Sequence, residues 1–166
     1  MAITLDTLKS FLNEEKLQFD VHNEEKQTLI TGFNVSNFTD MNGNKGITIF
    51  LQLVGDGTHL QIWAPSLYKF DPSKDNPAFL AACLMIQAMA PLGAFEMDQE
   101  GTVLFGVEVP IEDGSLTHSQ VMRSLFIIPE VVDHFDRTLR DAKATGEIRF
   151  PEPSGTPEAS EGPDRL

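Results

Sequence analysis

The stretch from Ile47 to Leu67, "ITIFLQLVGDGTHLQIWAPSL", restricts the fold more than any other part of the chain. Its opening "ITIFLQLV" is almost continuously apolar, as a central strand covered on both sides would be, and "GDGT" then supplies residues that tolerate positive φ in a tight turn. A second strand, "HLQIWAPSL", follows, so the pair predicts an antiparallel hairpin inside a larger sheet. Upstream, "LQFDVH" alternates Leu17, Phe19 and Val21 with Gln18, Asp20 and His22, the pattern of a half-buried strand. After a turn at "NEEK", a further strand runs from about Thr28 to Val35. The segment between Ser36 and Gly46, "SNFTDMNGNKG", reads as a long hairpin loop because Asn42-Gly43 and Lys45-Gly46 suit turn geometry. Four antiparallel strands are therefore expected before any second helix.

Helical spacing appears in three places. Thr4 or Asp6 can cap a first helix whose Leu5, Leu8, Phe11 and Leu12 share one face. Asp75 or Asn76 can cap a second, with Pro77 in its first turn and Pro91 and Gly93 ending it. Apolar residues surround the axis of that helix, which predicts burial on two sides. Thr117 and Gln120 form a capping box for a third, in which Val121, Leu125, Ile128, Val132, Phe135 and Leu139 recur at three- and four-residue steps. Pro129 is expected to kink or split it. Between the second and third helices, "FEMDQEGTVLFGVEVP" (Phe95 to Pro110) reads as a hairpin with Phe95, Met97, Val103, Phe105 and Val107 toward the core. From Glu147 onward four prolines and few large apolar residues predict a disordered acidic tail, 147–166, after a single domain, 1–146.

Composition excludes several functions. Twelve Lys and Arg against 25 Asp and Glu give a net charge of -13, which repels phosphate backbones and anionic lipid, and the bases are scattered singly. Neither nucleic acid nor a membrane is an expected partner. The amino terminus lacks a basic region ahead of an apolar stretch, and the run from Ala78 to Leu92 is short of a membrane span, so a cytoplasmic location is expected. Cys83 stands alone within "FLAACLMIQAMAPL" and reads as a small buried hydrophobe.

No recognisable catalytic, cofactor or metal pattern emerges. The glycine-containing "GDG" and "NGNKG" lie between strands rather than between a strand and a helix, which suits turns and not phosphate loops. His22, His59, His118 and His134 are far apart, and Asp133, His134 and Asp136 cannot share one helix face, so they read as solvated surface residues. A calcium-loop likeness at Asp40 and Asn42 fails at its twelfth position, Leu51. Glu112 and Asp113 with Gly114 read as a solvated turn.

The informative signal lies on the far side of the sheet. Alternation aims Leu29, Thr31, Phe33 and Val35, with Ile47, Ile49, Leu51 and Leu53, at the helices. The opposite face then carries Ile30, Phe50, Val54, Trp63 and Leu104, mixed with Thr28, Asn34, Thr48, Gln52, Gln61 and Glu108. Burying each large apolar chain is worth roughly 1.5–3 kcal/mol, so a face holding five of them is expected to be covered, by a partner segment or a second subunit. Coverage from within, by the third helix or by loop 36–46, is the bland alternative.

The run from Phe79 to Leu139 resembles the YbjN-like family, whose fold is similar to that of type III secretion chaperones. The resemblance rests on the order of Gln87, Phe95, Asp98, Glu100 with Gly101, Val109 with Pro110, and Thr117. It implies an α+β fold, an antiparallel sheet with helices on one face in the order α-β-β-β-β-α-β-β-α, and a non-enzymatic, dimeric, cofactor-free domain that binds other proteins. The expected function is a chaperone-like module that binds an apolar segment of a partner as a homodimer. Two other readings stand beside it. One is a small-ligand-sensing regulatory domain with a pocket between sheet and helices, anchored by His59 or Asp98. The other is a structural subunit whose acidic tail serves as a tether.

Overall fold

The computed structural model describes residues 3–111 and 115–152. Helix α1 (Leu5–Glu14) leads into strands β1 (Phe19–Asn23), β2 (Thr28–Asn34), β3 (Gly46–Val54) and β4 (His59–Lys69); helix α2 (Ala78–Met89), strands β5 (Ala94–Met97) and β6 (Thr102–Pro110), and helix α3 (His118–Thr145) complete the chain. This is the expected order. The strands form one antiparallel six-stranded sheet in the order β1-β2-β3-β4-β6-β5, so α2 carries the chain past the β6 position to the far edge. Leu29, Ile49, Leu51, Leu60, Ile62 and Phe105 from one sheet face meet the buried residues of all three helices in a single apolar core.

Local chemistry explains the element ends. The Thr4 side chain accepts from the Thr7 amide at the start of α1, while Asp6 pairs with Lys9 at 3.1 Å. Of the two candidate caps for α2, Asn76 does the work, its Oδ1 accepting from the Ala78 amide at 3.0 Å; the Asp75 carboxylate instead accepts from the Asp71 amide. Thr117 and Gln120 close the capping box of α3 in both directions.

Several expectations are corrected. α3 is one helix of 28 residues and is not split at Pro129. Val121, Leu125 and Ile128 before the proline and Val132 and Leu139 after it are all buried, and that continuous packing outweighs the single missing amide. β4 extends two residues beyond the expected "HLQIWAPSL", to Lys69, and accommodates Pro65 because four steps of β4, from Ala64 to Tyr68, lie opposite two of β6. Pro65 sits within that bulge, beside Ser66 at a φ of 53°, where a missing amide is tolerated. Val21 and Met97, expected to face the core, lie 44% and 47% exposed on the edge strands β1 and β5. α2 is buried on one side only: Phe79, Ala82, Cys83 and Ile86 face inward, whereas Leu84, Met85 and Met89 face out. The apolar residues all round the axis therefore do not report two buried sides within this chain.

Asp133 and Asp136 are not solvated surface groups either. Asp133 Oδ1 accepts from the amides of Asn37 at 2.7 Å and Phe38 at 2.8 Å, which fixes the β2–β3 loop to α3 and places Phe38 in the core. Desolvation pushes the Asp133 carboxyl up, but the amides of Phe38, Asn37 and Ser36 together outweigh it and hold the group below the usual range. This support is present above the unfolded carboxyl's titration near pH 4 and is lost as pH falls through the lower folded value. Asp133→Ala is expected to cost about 1–2 kcal/mol and to speed hydrogen exchange at Asn37 and Phe38; unchanged exchange there would contradict the anchoring role.

Beyond α3, Ile148 and Phe150 lie against the core and the Arg149 carbonyl accepts from Thr138 Oγ1 at 2.6 Å. The remainder of the expected tail, 153–166, and the Glu112-Asp113-Gly114 turn lie outside the described residues.

Candidate protein-binding surface

With α1, α2 and α3 all on one side, the other face of the sheet is open. The pairing brings Ile30, Phe50 and Trp63 side by side: Ile30 lies opposite Phe50, Phe50 opposite Trp63, and Trp63 opposite Gly106, which in turn faces Ala94. One row thus crosses the sheet from Asp20 on β1, opposite Ile30, to Ala94 on β5. Phe50 and Trp63 stack with ring centroids 5.4 Å apart, and His22 meets Phe50 edge-on at 4.9 Å. Rigid aromatic rings in such an arrangement present apolar area with little side-chain entropy left to lose on contact.

The five expected contact residues are all half-buried, but they are not equivalent. Leu104 flanks Gly106 on β6 and faces Glu96. Val54 stands apart, beyond a polar row in which Thr28, Gln52, Gln61 and Glu108 are successive neighbours. Neither bland cover is present: α3 packs against β4 and β6 from the other side, and the β2–β3 loop is fixed to α3. Gly106 itself escaped sequence reasoning. Its signal was available, because a glycine inside a regular strand weakens the strand and marks a close approach by something else. Around it lies a notch of about 470 Å³ lined by Trp63, Ala94, Glu96, Leu104 and Glu108.

A second apolar surface lies on the helix side. α2 has Gln87 as the one polar residue among its twelve, and that side chain turns inward to accept from the Phe95 amide at 3.2 Å. Leu84 is 68% exposed, and Met85 and Met89 about half. Leu84 and Met97 border a groove of about 180 Å³ between α2 and β5, floored by Leu80, Phe95 and Val103. Burial pushes the Cys83 thiol up to about 12, so it stays protonated and unreactive beneath this groove.

The candidate ligand anchors are committed elsewhere. Asp98 Oδ1 accepts from the amides of Glu100 at 2.9 Å and Thr102 at 2.8 Å within the β5–β6 turn. His59 Nδ1 pairs with Thr58 Oγ1 at 2.9 Å, and neither residue lines the α2–β5 groove. Asp40 likewise closes its own loop on the amides of Asn42 and Asn44. His118 lies beside Glu15 and His134 against Phe135, far from His22 and His59. Among the described residues no cluster of three or more potential metal ligands occurs, and no helix is long and apolar enough to cross a membrane.

Comparison with known proteins identifies the architecture. A chain of the ExsC–ExsE complex superposes with a TM-score of 0.52 at 12% identity, covering 84% of this chain and 97% of the other. A chain of the HopA1–SchA chaperone–effector complex gives 0.47 at 17% identity over 74% and 84%, and one of the ExoU–SpcU complex from the type III secretion system of Pseudomonas aeruginosa gives 0.47 at 12% over 79% and 93%. No curated protein matches the sequence. The family model YbjN, described as "Putative bacterial sensory transduction regulator", matches residues 4–141. The chain therefore belongs to the YbjN family, and it has a type III secretion chaperone-like α+β fold.

Proposed function

We propose that this chain is a non-enzymatic, chaperone-like module of the cytoplasm that forms a homodimer and holds an apolar segment of a partner protein. The observation that carries the reading is the open sheet face, where Ile30, Phe50 and Trp63 stand in direct register with nothing among the described residues folded over them. The α2–β5 surface supports the dimer. It carries no charge on the helix, and its exposed Leu84, Met85 and Met89 form the kind of patch that an obligate contact covers. Assigning the helix side to a second copy leaves the sheet side free for the partner. The α2–β5 groove offers little to the ligand-sensing alternative, since its volume of about 180 Å³ is below the usual range for small-molecule sites and neither His59 nor Asp98 lines it.

Light scattering and sedimentation test the dimer. Wild type is expected to sediment as a dimer, whereas Leu84→Glu with Met85→Glu gives a folded monomer, since two charges placed in an apolar contact each forfeit several kcal/mol of desolvation. Phe50→Ala with Trp63→Ala is expected to weaken the native partner more than about tenfold without altering the oligomeric state. A wild-type monomer would end the dimer reading; partner affinity untouched by the sheet substitutions would end the binding one.

A further inference from the structure

Gly106 is the position on the open face that folding alone does not account for. It pairs regularly with Trp63 on one side and Ala94 on the other, without a bulge, and its φ lies outside the region that favours glycine. The nearest atoms to a Cβ built there are the sheet's own Trp63 Cβ at 3.5 Å, Leu104 Cδ1 at 3.6 Å and the Ile62 carbonyl at 3.7 Å, all ordinary contacts. Among the described residues no other element lies among those nearest atoms. A side chain would thus fit and would strengthen the strand, yet the notch is left open.

The rim of this row is acidic. Glu96, opposite Leu104, and Glu108, opposite Gln61, stand on either side of the Gly106–Ala94 pair, and Asp20 ends the row beside Ile30. All three are exposed, and none joins an ion pair among the described residues. Lys69, on the same face beyond Leu104, donates to Thr102 Oγ1. With strands about 4.8 Å apart, the apolar row from Ile30 to Ala94 is roughly 19 Å long, the reach of about six extended residues.

We infer that this row takes an extended segment of another protein whose apolar core inserts into the Gly106 notch and whose flanking Arg or Lys residues meet Glu96, Glu108 and Asp20. The inference rests on the binding reading above and specifies the partner's chemistry. Opposite charge at both ends of an apolar track selects the segment and sets its register more than it adds raw affinity.

Trp63, the sole tryptophan, reports occupancy directly. The probe is a synthetic peptide with a Leu/Val core and Arg at both ends, set against the same core ended with Glu. The Arg-ended peptide is expected to shift Trp63 emission to the blue in a saturable way and to bind about tenfold more tightly at low salt. Gly106→Val is expected to lose that binding by more than about tenfold while its melting temperature stays level or rises; Gly106→Ala provides a smaller plug. Glu96→Gln with Glu108→Gln narrows the difference between the peptides. No binding by the Arg-ended peptide, equal affinity for both peptides, or wild-type affinity in folded Gly106→Val overturns the inference. Conversion of a dimer to a monomer by Gly106→Val also overturns it, by making the row a contact between copies. If the peptides fail here while Phe50→Ala with Trp63→Ala still loses the native partner, only the assigned chemistry falls; if both fail, the binding reading falls with it.

Discussion

Replacing Asp136 by alanine is expected to destabilise the fold by about 3 kcal/mol, lowering its melting temperature by roughly 6–12 °C. Asp136 is 4% exposed and accepts from Tyr68 Oη at 3.0 Å and from Arg140 Nε at 2.8 Å. Arg140 in turn donates to the Thr39 carbonyl and lies 5.8 Å from the Tyr68 ring centroid, so one carboxylate ties α3, β4 and the β2–β3 loop together. Alanine leaves a buried phenol without its acceptor and a guanidinium without its counter-charge. The value sits at the low end for a broken buried pair because the Arg140 side chain is 47% exposed and water can reach it. The sole tyrosine makes the arrangement visible. Burial first, and then the Asp136 charge, hold the Tyr68 phenol well above its ordinary value. The folded chain keeps a proton that the unfolded chain gives up above about pH 10, so this contribution is complete below that pH and stability falls above it. Phenolate absorbance is expected to appear only as the protein unfolds, and Tyr68→Phe removes that part of the alkaline loss. Ionisation near pH 10 with the fold intact would contradict the burial argument.

Gly101→Ala is expected to cost more than about 2 kcal/mol, although it adds a single methyl group in a surface turn. Gly101 has a φ of 81°, where any side chain is strained, and a Cβ there would lie 2.0 Å from the Phe70 carbonyl oxygen. That oxygen belongs to backbone and cannot swing away. The close approach exists because the Phe70 amide donates to the Gly101 carbonyl at 2.8 Å, docking the β5–β6 turn onto the end of β4. Alanine forces that hydrogen bond apart as well. Urea unfolding with an unchanged slope and a lower midpoint is the expected result; a midpoint equal to wild type would show that the turn relaxes freely.

The elements legible in the sequence were those whose signal is local. Alternation along Thr28–Asn34 and Gly46–Val54, the Thr4 cap and the reciprocal Thr117–Gln120 cap each follow from neighbours a few residues away, and each matches the observed element. Asp133 and Asp136 misled because their partners, Asn37, Phe38 and Tyr68, are distant in sequence, and no local pattern marks a carboxylate as buried. α2 misled in a different way. Its composition predicts burial on two sides, whereas Leu84, Met85 and Met89 are exposed, because composition carries no information on which faces the rest of the chain reaches. The candidate surface was half legible for the same reason. Period-two alternation placed Ile30, Phe50 and Trp63 on one face, whereas their alignment into a single row depends on register across three strands, and Gly106 has no side chain for a pattern to register.

The carboxylates around the open face have a consequence for colloidal behaviour. A protein that presents a flat aromatic row to solvent at cellular concentration invites stacking of copies face to face. In a symmetric stack each copy would bring the same Asp20, Glu96 and Glu108 to the contact, on a molecule already carrying a net charge of -13. Like charges meeting across a drying contact repel, so the rim disfavours that stack. That repulsion is electrostatic and weakens as salt shortens its range, which makes turbidity at high ionic strength the natural failure mode of this fold.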